Sequence, residues 1–316
     1  MELSPRPAGD ILLPPGELSD IRRRLQGIAA GHDLATVIVC AFDHRTRMLP
    51  FIFADTRMAP AGVRAIGSAL VESGFEKTRI VLQQWNRNVR PSHLRLDGRV
   101  PDLLLLSSMQ LHEDACRIDP ADRPLIVTGG AKCLYQPFDF FSADPADPAS
   151  CDVAVTGEEY ILLNLLEVLL SVRAGGESLR SAFFRARDDG ALDDVPGLVF
   201  ARDANDVGAG LIDTGIQRLA GDLDEQPHPA AGYAILEPPG RGPGLGPAPL
   251  PADRVRKYSP LNCLVMTLGC KFNCPYCPIP AYNQKQFRAK SGARIADEMG
   301  RINADYGIRY FFGADD

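Results

Sequence analysis

Pro124-Leu125-Ile126-Val127-Thr128-Gly129-Gly130 is the stretch whose reading decides the fold. A short run of apolar and β-branched residues passes directly into two glycines, with no polar alternation. Such a run reads as a strand buried on both faces, and strands of that kind belong to parallel sheets. The pattern recurs on either side. Leu103–Leu106 runs into Ser107-Ser108, Asp152–Thr156 into Gly157-Glu158, and Ala35–Phe42 into Asp43, while Thr78–Leu82 is a further apolar run.

Helical patterns separate these runs. Val63, Ile66, Leu70 and Val71 share one face, and Gly74 follows as a natural C-terminal stop. After Gly157, residues Ile161, Leu162, Leu165, Leu166 and Leu169 make a broad apolar face. Short buried strands alternating with helices predict an α/β fold, a doubly wound parallel sheet of Rossmann-like type with helices on both faces. Such sheets bind ligands outside the carboxyl ends of their strands. Ser107, Ser108, Gly129, Gly130 and Gly157 all fall at strand ends, where small residues let backbone amides approach a bulky ligand. Each alone also reads as an ordinary tight turn; the set points to a ligand crevice.

Working outward, residues 1–33 form a leader rich in Pro and Arg with no assigned structure, in which Arg22-Arg23-Arg24 reads as the solvated face of an amphipathic stretch. The α/β domain spans 34–194. A connector follows over 195–257. Within it Val195–Phe200 reads as a strand, Leu211–Leu223 as irregular, and the Pro/Gly-rich segment 237–251 as a loop that holds neither helix nor central strand. A second domain begins over 258–316. There Leu261–Leu268 is strand-like, and Ser291 caps a helix with Ile295, Met299, Ile302 and Tyr306 on one side. Gly307 ends that helix, and Ile308–Phe312 is the next strand.

Composition narrows the function classes. Hydrophobic residues make up 45% and charged residues 23% of the 316, enough for a sizeable core. A net charge of -6 argues against a nucleic-acid backbone as the main partner, because that binding needs a basic face. Met1–Asp10 lacks the pattern of a secretory signal. The most apolar segment, Ile161–Leu170, carries Asn164 and Glu167 and falls short of the roughly 20 residues that span a bilayer. These features predict a cytoplasmic chain without a membrane span, whose clustered cysteines are reduced and act as metal ligands.

The clustered cysteines lie in Gly269-Cys270-Lys271-Phe272-Asn273-Cys274-Pro275-Tyr276-Cys277-Pro278, a C-x3-C-x2-C spacing. Three thiolates can hold three irons of a 4Fe-4S cube and leave the fourth iron open, whereas such clusters usually take four cysteines. Pro275, Pro278 and Pro280 keep the segment out of a helix, so that the sulfurs can converge. A zinc site is the competing reading. It needs a fourth ligand, for which Cys263 stands inside a strand pattern, and no histidine follows His228.

With Tyr276 just before its third cysteine, this loop resembles the radical S-adenosylmethionine (SAM) signature at the end of a first barrel strand. Leu103–Ser108, Pro124–Ala131 and Asp152–Glu159 resemble the cobalamin-binding-type domain that precedes many such barrels. Val195–Phe200 and Asp222–Pro227 resemble that family's connector. The chain is thus similar to cobalamin-dependent radical SAM enzymes, many of them methyltransferases acting on unactivated carbon or phosphorus. The resemblance implies that Cys270, Cys274 and Cys277 ligate a 4Fe-4S cluster whose open iron binds SAM, and that SAM is cleaved to a 5'-deoxyadenosyl radical. Tyr276 would pack near the adenine, and Gly313 and Asp315, at the end of the second barrel strand, would lie by the SAM amino group. Ser107, Ser108, Gly129, Gly130 and Gly157 would surround the nucleotide tail and corrin of cobalamin. An electron donor of the flavodoxin or ferredoxin type is the implied partner, and the substrate is not legible.

The sequence departs from the family in three places. None of His32, His44, His93, His112 or His228 lies in a D-x-H-x-x-G pattern, so cobalamin would be held without that lower ligand. Gly157-Glu158-Glu159-Tyr160 replaces the family's second acidic-glycine turn. From Cys270 to Asp316 there is room for one helix and a second strand, which predicts a truncated or split enzyme, inactive alone, with 308–312 as an unpaired hydrophobic edge. Two alternative functions remain. A radical SAM methylthiotransferase would need a second cluster drawn from Cys40, Cys116, Cys133 and Cys151, of which Cys40 reads as core. A non-catalytic cobalamin-type module would act as a partner subunit. Trp85-Asn86 reads either as a cover for a corrin face or as a cap on the sheet, and His112-Glu113-Asp114 as a solvated turn.

Overall fold

A computed structural model describes residues 10–41, 58–107, 112–115, 117–141, 151–203, 206–272 and 274–313. In chain order the elements are helix α1 (Glu17–Ala29), strands β1 (Thr36–Cys40) and β2 (Met58–Ala59), helix α2 (Ala61–Glu72), strands β3 (Thr78–Leu82), β4 (Leu103–Leu106), β5 (Leu125–Thr128) and β6 (Val153–Val155), helices α3 (Glu159–Val172) and α4 (Leu179–Asp188), and strands β7 (Leu198–Asp203) and β8 (Asp206–Asp213). Helix α5 (Ala252–Tyr258), strands β9 (Leu261–Leu264), β10 (Thr267–Leu268) and β11 (Arg288–Ala289), helix α6 (Gly292–Tyr306) and strand β12 (Tyr310–Gly313) complete the chain.

The principal sheet has the order β3-β1-β4-β5-β6-β7-β8. Its first five strands are parallel, with Thr36–Cys40 in register with Thr78–Leu82 on one side and Thr36–Val39 with Leu103–Leu106 on the other. β3, β4 and β5 are buried at every position, as their uninterrupted apolar sequences require. Side chains alternate between the faces. Ile38, Ile80, Leu105 and Val127 meet α1, α2, α3 and α4, while Val39, Val81, Leu104 and Ile126 meet a second apolar layer with Val89, Leu94, Ala115, Cys133 and Phe140. Among the described residues that second face is covered by loops and short helical turns rather than by long helices.

Three features differ from the sequence reading. The leader contains α1, which buries Leu18, Ile21, Leu25 and Ala29 and turns Arg23 and Arg24 outward, the latter onto Glu167 of α3 at 2.6 Å. The segment expected to be irregular after residue 210 begins with the end of β8, which pairs antiparallel with β7; β7 in turn runs antiparallel to β6. Cross-strand pairing thus forms an edge hairpin that the glycines of Asp206–Asp213 concealed. The expected strand Leu261–Leu268 is two strands, β9 and β10, which enter different sheets.

β9 is the centre of a small parallel sheet, β12-β9-β2. Its partner β2 comes from the chain just before α2, so the two parts of the molecule share a sheet. Ser291 caps α6 by accepting the Arg294 amide at 3.1 Å, and Gly307 ends it in the left-handed region. β12 pairs with β9 on one side only among the described residues, leaving Tyr310 and Phe312 exposed. The Pro/Gly-rich segment 237–251 has neither helix nor strand but is pinned. Glu237 forms a buried ion pair with Arg79 at 2.7 Å and also accepts the Gly246 amide, and the Arg90 amide donates to Pro243. No described helix is long and apolar enough to cross a membrane.

The two parts are joined at Arg64 of α2, a fully buried arginine. Its guanidinium donates to the carbonyls of Ala59, Pro229 and Cys263, the last at 2.6 Å, and lies 4.6 Å over the Tyr233 ring. Tyr233 Oη in turn accepts from Asn262 of β9 at 2.9 Å. Removing the guanidinium strands three carbonyls and opens a large void. Arg64→Ala is expected to destabilise the chain by about 3 kcal/mol or more, with Arg64→Lys restoring only part, because one ammonium cannot span all three acceptors. The readout is the urea midpoint of Trp85 fluorescence. This is the single tryptophan, and it packs 6.0 Å from Tyr258 of α5.

Candidate functional site

A cavity of about 340 Å³ opens at the carboxyl ends of β1, β4, β5 and β6, roofed by the start of α2 and of α3. Its apolar floor is Ile38, Leu105, Val127 and Val155, and its rim is Cys40, Ser107, Thr128-Gly129-Gly130 and Gly157-Glu158-Glu159. Four of the five strand-end residues singled out in the sequence, Ser107, Gly129, Gly130 and Gly157, therefore meet in one wall. Ser108 and Asp43 lie outside the described residues.

The glycines serve different ends. Gly130 has φ +103°, a conformation that favours glycine, and a Cβ there would project into open space. Gly62, in the first turn of α2, also faces open space, lines the cavity and was not anticipated; its signal is a glycine immediately after Pro60-Ala61 at a helix start. Gly157 is small for another reason. A Cβ on it would stand 2.1 Å from the Gln217 side chain, whose Oε1 accepts the Glu158 amide at 2.9 Å. Cys40, expected in the core, is half-buried at the cavity rim, and burial pushes its thiol up.

Two adjacent carboxyls supply the charge. Glu158 is held by the Ala220 amide and by Arg288, each at 2.6 Å; burial pushes its carboxyl up while these contacts pull it back. Glu159 has no ion-pair partner among the described residues, and burial beside Glu158 holds its carboxyl above the usual range. No histidine lines the cavity among the described residues.

The cysteine loop leaves β10 and returns through β11, which closes its base by antiparallel pairing of Leu268 with Arg288. Gly269 has φ +85°, and a Cβ there would collide with the Gln286 carbonyl at 1.9 Å, so only glycine starts the loop. Cys270, Cys274 and Cys277 are all free thiols and half-buried, with the Cys277 amide donating to the Cys274 carbonyl at 3.0 Å. The tip is open: Phe272 is 72% and Tyr276 86% exposed. Among the described residues no group of three or more His, Cys, Asp or Glu is arranged to hold a metal ion, these cysteines included. The loop is fixed at its base and the sulfurs are carried separately above it.

The remaining candidates are dispersed. Cys263 is buried in β9, and Cys133 and Cys151 are buried in the second-face core, with the Cys133 thiol pushed up to about 12 by burial; Cys116 lies outside the described residues. Gly313 ends β12, exposed, and Asp315 lies outside the described residues. Trp85 packs on the core beside Tyr258, and Asn86 accepts the Gly240 amide, so this pair caps the sheet. Asp114 accepts both the amide and the hydroxyl of Ser92.

No protein-family model matches the chain, and no curated protein matches it by sequence. Solved structures do match. One is the cobalamin-dependent S-adenosylmethionine radical enzyme OxsB with aqua-cobalamin and S-adenosylmethionine bound, at 16% identity and TM-score 0.55 over 90% of this chain and 34% of that one. Another is the radical S-adenosylmethionine methyltransferase TsrM from Kitasatospora setae with tryptophan and a SAM analogue bound, at 17% identity and TM-score 0.53 over 90% of this chain and 48% of that one. The chain spans about a third to a half of the length of these proteins. At such identities the likeness is one of fold, and it establishes a mixed α/β architecture shared with cobalamin-dependent radical SAM enzymes.

The carboxyl of Glu159 gives a pH signature. A folded-state value above the unfolded 4.5 means that the folded chain keeps the proton longer, so this stabilising contribution is complete below pH 4.5 and is lost as pH rises through the raised value. Glu159→Gln is therefore expected to melt increasingly above wild type as pH rises from 4.5 to neutrality. Parallel melting curves for the two proteins across that range would refute the assignment.

Proposed function

We propose that this chain is the cofactor-binding part of a cobalamin-dependent radical SAM enzyme, with methyl transfer as its reaction class. The supporting observation is the juxtaposition, in one chain, of a preformed strand-end cavity and a C-x3-C-x2-C loop whose base is joined to the cavity wall. The order of the parallel strands, β3-β1-β4-β5-β6, places the cavity where neighbouring connections diverge, the usual ligand crevice of such sheets.

The residues fit the groups. The cavity lies within the size range of organic-ligand pockets, is apolar in its depth, and has open space above Gly62 and Gly130. Ser107, Gly129, Gly130, Gly157 and Gly62 would enclose the nucleotide tail of cobalamin. Cys270, Cys274 and Cys277 offer three free thiols in one loop, the donor set of a cluster with one open iron, and ligation itself would supply their convergence. Tyr276, exposed on the loop tip, would pack near adenine, and Gly313 and Asp315 would lie by the SAM amino group. When bound, the cluster supplies the electron that cleaves SAM and cobalamin carries the methyl group. The chain's own residues bind and orient: the sheet ends exclude water from the tail, and Gly269 and the β10–β11 pair hold the loop.

Anaerobic reconstitution followed by iron, sulfide and cobalt analysis tests this reading. About four irons and one cobalamin per chain are expected. Replacing the three loop cysteines by Ala removes the iron and leaves cobalamin, whereas Gly62→Phe weakens cobalamin at least about tenfold and leaves iron, because the new ring fills the cavity. Absence of both groups from the wild-type chain would end the reading, and about eight irons would transfer it to a methylthiotransferase.

A further inference from the structure

Arg288 is buried, its side chain 4% exposed, and it does not line the cavity. It sits on β11, opposite Leu268, two positions before the first loop cysteine. One guanidinium nitrogen donates to Glu158 Oε1 at 2.6 Å and to the Ala220 carbonyl at 2.8 Å; the other donates to Asn283 Oδ1 at 2.8 Å. Its Nε, though buried, has no partner. Asn283 belongs to the segment that follows the cysteines, and its Cβ lies 3.2 Å from where a Cβ on Gly269 would stand.

A second strut runs parallel. Gln217 is buried against Gly157, accepts the Glu158 amide through its side chain, and accepts Gln284 Nε2 through its carbonyl at 2.7 Å. Glu158 thus touches the cavity on one side and, through two hydrogen-bonded routes, the segment 283–288 that closes the cysteine loop on the other. Charge-assisted bonds at these lengths are directional, so a shift of Glu158 must be followed by Arg288 and by the loop base or must break the pair.

We propose that Arg288 is a positioning residue that transmits occupation of the cavity to the cysteine loop through Glu158, so that a filled cavity orders the loop for cluster binding and a loaded loop tightens the cavity. This rests on the reading of the cavity as a corrinoid site. Linkage makes the effect reciprocal: whatever factor cobalamin adds to loop ordering, the loaded loop adds to cobalamin affinity.

The test is hydrogen–deuterium exchange on the full chain, free of cluster, with and without hydroxocobalamin, combined with cobalamin titration before and after cluster reconstitution. In the wild type, hydroxocobalamin is expected to slow exchange across 268–290 at least about fivefold, and the cluster to tighten cobalamin by a similar factor. Arg288→Met should bind hydroxocobalamin within about threefold of wild type yet lose both effects. Should Arg288→Met fail to fold, as judged by circular dichroism, the Asn283→Ala/Gln284→Ala double variant leaves the ion pair standing, cuts the side-chain links to the segment that follows the cysteines, and should weaken both effects. Cobalamin binding without protection of 268–290, or equal protection in wild type and variants, overturns the proposal while sparing the corrinoid reading. Absence of hydroxocobalamin binding to the wild type overturns both.

Discussion

The architecture depends on β1 being flanked by β3 on one side and β4 on the other. Parallel strands need crossover connections, and these are right-handed. Moving from β1 to β3 therefore lays α2 on one face, while moving onward through β4, β5 and β6 lays the connections on the opposite face. The chain cannot close the gap between diverging connections, so a crevice is left at the carboxyl ends of β1 and β4. The cavity is this gap, made deeper by α3 returning to the first face. Its existence needs no special residue; its depth and access do, through Gly62 and Gly130.

What the sequence made legible follows from the range of the forces involved. β3 and β4 fall at their expected limits, and β1, β5 and β6 lie within the expected runs, because a strand buried on both faces must be apolar throughout. Ser291 and Gly307 bound α6 as anticipated, since caps are decided within one helical turn. β8 was hidden because its pairing partner, not its composition, makes it a strand. The same holds for Arg64 and Arg288. Their partners lie 199 and 130 residues away, and nothing local distinguishes them from the many arginines that face water.

These distant contacts share a chemical character. Within each part the core is apolar, but the contacts that relate the parts include buried cations on backbone carbonyls or carboxylates: Arg64 on Cys263, Arg79 on Glu237, Arg288 on Glu158. Apolar surfaces of similar shape tolerate sliding, whereas a guanidinium with fixed acceptors accepts one arrangement. Each such burial is costly unless hydrogen bonds are supplied, and each arginine meets at least one acceptor at 2.7 Å or closer. The cations therefore specify how the cavity faces the cysteine loop more than they add to net stability.

The two halves of the candidate site also show why one was evident in sequence and the other in structure. A thiol cluster site is written in residue types and spacing, so Cys270, Cys274 and Cys277 stand out, but nothing except ligation draws three thiols to one point, and here they remain apart. An apolar cavity is the reverse: it is written in the path of the backbone, uses small and common residues, and is held open by the packing of the sheet beneath it. Glu158 belongs to both descriptions. As a residue type it looks interchangeable with Glu159, its neighbour. Only the folded chain separates a carboxylate clamped by Ala220 and Arg288 from one that lines the cavity with no ion-pair partner among the described residues.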